Sequence, residues 1–140
     1  MKYASRMLAI AVMMAPLLAS AQLGSANKIV AQVPFEFRAG SKTVPAGQTV
    51  IQLASVNGTT LSIRNLDEKV NMFTMSYPDS PPKGTGNTLV FHKYGDRYFL
   101  TEIRVQGSQI SYRLPEGKVE AELRAQNIPV SEKTLLAQLR

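Results

Sequence analysis

The sequence predicts a mainly β protein: an antiparallel β-sandwich or small barrel of six to seven short strands, with a C-terminal helix. Three observations carry this. Apolar residues recur with period two along most of the chain, as half-buried strands require. Turn chemistry rich in Gly, Pro and Asn separates these runs at near-regular spacing. A helical pattern is confined to the end of the chain.

The chain opens on a targeting pattern. Lys2 and Arg6 precede the apolar run 7–18, and Ala19-Ser20-Ala21 forms a small-x-small cleavage site. We expect residues 1–21 to be a secretory signal peptide and the mature chain to begin at Gln22. Removing residues 1–21 of the 140 leaves 119, enough for one domain and one core. The segment 22–28 is expected to be a mobile N-terminal stretch.

From Ile29 the residues Ile29, Ala31, Val33, Phe35 and Phe37 alternate with more polar neighbours, which reads as a strand. Pro34 cannot donate to a ladder, so the strand lies at an edge or kinks there. Turns follow at 39–42 and at Val44-Pro45-Ala46-Gly47. Strands are expected over 49–56, 60–65 and 70–77, with Asn57-Gly58 as a hairpin signal between the first two. The stretch 78–87 carries three prolines and two glycines, which exclude a helix or a central strand. Lys83-Gly84-Thr85-Gly86 lacks the spacing of a phosphate loop and is read as an ordinary loop.

Residues 88–105, TLVFHKYGDRYFLTEIRV, give the strongest signal. Two β-rich runs flank Gly95-Asp96. Glycine at the first turn position fits a type II′ turn, because it takes positive φ at no steric cost. A two-residue loop pairs Tyr94 with Arg97 and Phe91 with Leu100. A three-residue loop pairs Tyr94 with Tyr98, Phe91 with Thr101 and Leu89 with Ile103. Turn chemistry favours the first register. Apolar matching favours the second, which we expect, with Leu89, Phe91, Phe99, Ile103 and Val105 on one face and His92, Val90, Tyr94, Tyr98 and Leu100 on the other.

A last short strand is expected within 109–114, then Pro115 as the first residue of a helix over 116–126, ended by Asn127-Ile128-Pro129. Val119 and Leu123 share a stripe of that helix, and Glu120 stands four before Arg124. The β-domain with its covering helix thus spans 29–126. Residues 127–140 read as a helical tail, with Ser131 as cap and Leu135, Leu136 and Leu139 on one side.

Composition excludes several chemistries. The chain has no cysteine, so disulfides, thiolate metal sites and cysteine nucleophiles are absent. Sixteen Lys and Arg against ten Asp and Glu give +6, which falls to +4 once Lys2 and Arg6 leave with the signal. The remaining basic residues are dispersed, Trp is absent, and no nucleic-acid binding is expected. No transmembrane span is expected after signal removal.

The segments Val33-Pro34-Phe35-Glu36-Phe37, Val44-Pro45-Ala46-Gly47 and 89–100 (LVFHKYGDRYFL), together with the charged helical end, give the chain a resemblance to a group of small secreted bacterial proteins of unknown function. It covers most of the mature chain. It implies an exported, single-domain architecture and carries no activity with it.

His92 is the sole histidine. No second His or Cys completes a metal site, and no Gly-x-Ser-x-Gly elbow accompanies it. It reads as a strand residue hydrogen-bonded beside Tyr94 or Tyr98. Asp96 with Arg97, and Glu102 with Arg104, are expected as surface ion pairs, and Glu116, Glu120 and Glu122 as solvated helix positions. Met72, Phe73, Met75 and Tyr77 form an apolar cluster. No catalytic residue, metal or cofactor is assigned. The binding candidates are His92, Tyr94, Arg97 and Tyr98. The leading expectation is an exported, non-enzymatic domain, periplasmic or secreted, that binds a macromolecule or an envelope surface. The alternative is a carrier of a small apolar ligand in a barrel cavity. The third reading is a hydrolase using His92 and a carboxylate.

Overall fold

The described residues are 28–55, 57, 59–83, 86–108 and 110–139 of a computed structural model. The expected signal peptide, its cleavage site and residues 22–27 lie outside them. Lys28 does not belong to a mobile segment: it begins β1 (Lys28–Val33), paired with Gln52.

The first predicted strand is two. At Pro34 the missing donor breaks the ladder. The chain then leaves β1 and enters β2 (Phe37–Ala39), which sits in a different sheet. β3 (Lys42–Val44) returns as a short hairpin partner. The Val44-Pro45-Ala46-Gly47 turn is clamped from a distance: the buried Asn65 amide donates to the carbonyls of Pro45 at 2.7 Å and Ala46 at 3.2 Å. β4 (Gly47–Leu53), β5 (Thr60–Asn65) and β6 (Val70–Met75) form an antiparallel meander with β1. The β4–β5 hairpin forms around Asn57, although residues 56 and 58 lie outside the described ones. The predicted strand over 70–77 is also cut, at the buried Ser76, where the chain crosses to β7 (Tyr77–Asp79).

β8 (Thr88–Tyr94) and β9 (Arg97–Arg104) are the central hairpin, and β10 (Ser111–Arg113) lies beside β9. β7 pairs only with β10, an edge position that accommodates Pro78. α1 (Lys118–Ala125) follows. Pro115 lies three residues before the helix rather than at its first position, and Gly117 is the N-cap. A Cβ on Gly117 would stand 2.6 Å from the Gly40 carbonyl oxygen, so glycine lets the helix start against the β2–β3 turn. The helix ends in a Schellman motif. Asn127 takes φ 56°, its N–H reaches Arg124 O at 3.0 Å, and Ile128 N–H reaches Leu123 O at 3.3 Å.

The tail corrects one expectation. Residues 130–136 are not helical; they form β11 (Val130–Leu136), antiparallel to β8 from Val130↔Tyr94 to Leu136↔Thr88. At Ala137, whose N–H bonds Asn87 O, the chain crosses sheets once more to β12 (Gln138–Leu139) beside β1. The tail lies at a sheet edge, where its amides pair with β8, and few of its side chains need burial.

The result is a two-sheet sandwich. One sheet runs β12-β1-β4-β5-β6. The other runs β11-β8-β9-β10-β7, with β2 parallel to the start of β9 and β3 beyond it. Neither sheet closes on itself, so the architecture is a sandwich and not a barrel. The described residues hold twelve strands against the six to seven expected: two runs read as single strands divide where the chain changes sheet, β3 lies between stretches read as turns, and β11 and β12 lie in the tail read as helical. Ile51, Leu61 and Ile63 of the first sheet pack against Phe37, Leu89, Phe91, Leu100 and Ile103 of the second. α1 lies against the opposite face of the second sheet, through the contacts of Glu120 with β8.

Candidate functional site

The hairpin register combines both sequence readings. At the tip, Tyr94 pairs with Arg97 and Phe91 with Leu100, as a two-residue loop demands. Gly95 has φ 60° and Asp96 is not in the positive region, consistent with type II′. Between Val90 and Phe91 the ladder shifts, and Leu89 then pairs with Ile103. The extra residue is Thr101, whose hydroxyl donates to the Val90 carbonyl at 3.0 Å. Tip chemistry and apolar matching are therefore both satisfied, with a bulge between them. The faces differ from those expected: Tyr98 and Leu100 join Phe91 on the core side, while Phe99 and Glu102 join Val90, His92 and Tyr94 on the helix side.

On that helix side, α1 inserts Glu120 into the sheet. Its side chain is 7% exposed, against 39% for His92. Glu120 Oε1 accepts from the Tyr94 hydroxyl at 3.2 Å and lies 2.8 Å from His92 Nδ1. The Glu120 carboxylate has no proton to give, so His92 Nδ1 donates to it, and in the neutral ring Nε2 is then the acceptor. Burial first, then the charge and hydrogen bond of Glu120, raise the Tyr94 phenol above its ordinary range. Glu120 is thus neither solvated nor paired with Arg124, which instead binds Glu116 at 3.0 Å.

Beside this triad a groove of about 410 Å³ runs across the second sheet. Each of five adjacent strands contributes to it. Glu132 comes from β11, His92 from β8, Arg104 from β9, Arg113 from β10 and Tyr77 from β7. Pro115 and Glu116, on the approach to α1, form one wall. Cross-strand pairing puts neighbours together at both ends: Glu132 is opposite His92, and Tyr77 is opposite Arg113. In the floor, Arg104 Nη2 donates to Glu102 Oε2 at 2.9 Å, with side-chain exposures of 14% and 9%. This pair is buried rather than on the surface. Burial alone would raise the Glu102 carboxyl. The hydrogen bond from Arg104, with the charges of Arg104 and Arg113, outweighs burial and holds it below its ordinary range.

The four binding candidates therefore divide. His92 and Tyr94 belong to the Glu120 cluster. Tyr98 stacks on Phe35, ring centroids 3.7 Å apart, against the edge of the core, with Lys93 Nζ 5.5 Å from its ring. Arg97 and Tyr98 line a separate depression of about 380 Å³ with Glu36, Arg38 and Asp96. Asp96 and Arg97 do not pair with each other. Sequence reasoning missed Glu120, Glu132 and Arg113. The one signal for Glu120 was its place next to the Val119–Leu123 stripe of the predicted helix.

Of the predicted apolar cluster, Met72 is buried in the core, whereas Phe73, Met75 and Tyr77 are exposed. The apolar space between the sheets, lined by Ile29, Ile51, Leu61, Ile103 and Tyr112, measures about 80 Å³. Ligand sites usually span roughly 300–1,000 Å³. Among the described residues no cluster of three or more His, Asp or Glu is placed to hold a metal, and no helix is long and apolar enough to cross a membrane. Comparison with protein-family models, with curated proteins and with solved structures finds no match for this chain.

Proposed function

We propose that the chain is an exported, non-enzymatic binding domain that engages a partner at the cell envelope through the outer face of its second sheet. The observation that supports this best is the groove, a ligand-sized concavity floored by side chains from five strands. Its one pocket hydroxyl on β9, Thr101, is committed to the Val90 carbonyl and not to the histidine, so the groove offers His92 no activated nucleophile from that strand. The small inter-sheet space gives the carrier reading no comparable support.

The test is retention on isolated cell envelopes. A double variant, Arg113→Ala with Glu132→Ala, removes two exposed groove side chains, and Arg97→Ala alters the hairpin tip. The groove variant is expected to lose most retention and the tip variant little. Equal retention of the groove variant and the wild type overturns the reading.

A hydrolase remains the second reading, and one observation favours it. Glu120 holds His92 Nδ1 at 2.8 Å, the orientation that prepares Nε2 as a general base. Turnover of an ester or glycoside that His92→Ala abolishes would replace binding by catalysis.

A further inference from the structure

We infer that the groove takes a neutral, extended saccharide chain; the inference rests on the binding reading above. Its length comes from its placement. Crossing from β11 to β7 covers four inter-strand spacings, about 19 Å at roughly 4.8 Å each. The partner is therefore elongated and lies across the strands. A peptide seated this way gains no ladder hydrogen bonds, because the main-chain groups beneath it are already paired within the sheet.

Charge compensation sets the chemistry. Both groove arginines are occupied: Arg104 by Glu102 and Arg113 by Asp79, each at 2.9 Å. An anionic ligand would compete with carboxylates already in place. Of the groove carboxylates, Glu102 and Glu116 are likewise paired, with Arg104 and Arg124, while Glu120, 7% exposed, is committed to hydrogen bonds from His92 and Tyr94. Glu132 is then the one exposed groove carboxylate without a cationic partner among the described residues, too little to hold a polycation. Each paired group nevertheless keeps unused hydrogen-bonding capacity. A guanidinium has five N–H donors and a carboxylate about four lone-pair sites. Closely spaced hydroxyls, each donor and acceptor at once, match this mixture without stripping water from a second charge. Tyr77, 51% exposed at the β7 end, supplies a ring face for the apolar side of a sugar.

The experiment uses amide chemical-shift mapping on the folded chain, with chitotetraose, cellotetraose and maltotetraose as probes, and citrate and spermine as charged controls. At least one tetrasaccharide is expected to shift groove amides. Its affinity should hardly change from about 50 to about 500 mM salt, since no net charge is neutralised. Tyr77→Ala and Glu132→Gln, both at exposed positions, should each weaken it about tenfold. Groove shifts with citrate or spermine alone overturn the saccharide inference and leave the binding reading standing. No groove shift with any probe also overturns it, and envelope retention of the groove variant then decides whether the binding reading fails as well.

Discussion

The two sheets share a core but treat their outer faces differently. In the first sheet β5 alternates strictly between half-buried and buried positions, and β6 leaves Phe73 and Met75 to solvent. In the second, β8 is buried at five of seven positions, and Glu120 of α1 packs on its outer face. A sheet face bare to water tolerates polar side chains without partners. On a covered face partners matter more, and Glu120, Tyr94, Glu102 and Arg104 all carry specific hydrogen bonds, although Arg104 Nε and Ser111 Oγ stay buried without one. Polar chemistry is concentrated where burial makes it costly, and the groove opens beside it.

The contrast can be broken most severely in the core beneath the covered sheet. Phe91 is fully buried, with edge contacts to Phe35 and Phe37. Phe91→Ala should cost about 3–5 kcal/mol, read from the denaturant midpoint. Next comes the covered face itself. Glu120→Ala leaves the Tyr94 hydroxyl without its acceptor and should cost about 1–3 kcal/mol. An equal loss from Glu122→Ala on the exposed side of α1 would contradict the contrast.

The same buried groups give pH signatures. Tyr94 titrates above its ordinary 10.0 when folded, so as pH rises past that value the unfolded chain releases its proton first and stability falls. Tyr94→Phe should remove this alkaline slope in denaturation midpoints. Glu102 behaves in mirror image. Its stabilisation is present above the ordinary 4.5 and is lost as pH falls through its lowered folded value, a slope that Glu102→Gln should abolish. The smallest effect belongs to the bare face, where Phe73→Ala should change stability by no more than about 0.5 kcal/mol.

Local patterns made much of this fold legible. Period-two runs marked β1, β4, β5, β6, β8 and β9, and Gly95-Asp96 marked the tip between the last two. The helix stop at Asn127-Ile128 also followed from local chemistry. What escaped was non-local. Pro34 signalled a kink, but only packing decides that the kink carries the chain between sheets. The bulge at Thr101 arises because turn and core each impose a register, and neither yields. β11 was hidden because an edge strand with mostly exposed side chains has no reason to alternate, so Leu135 and Leu136 mimic a helical stripe. Glu120 and His92 lie 28 residues apart and meet only through the docking of α1.

The pairing of β11 with β8 also sets a timetable. Residue 132 forms one end of the groove, and its strand cannot join β8 until the segment through Leu136 exists. A growing chain that has made the whole β8–β9 hairpin therefore still lacks one end of the groove, which only the residues from Val130 onward complete.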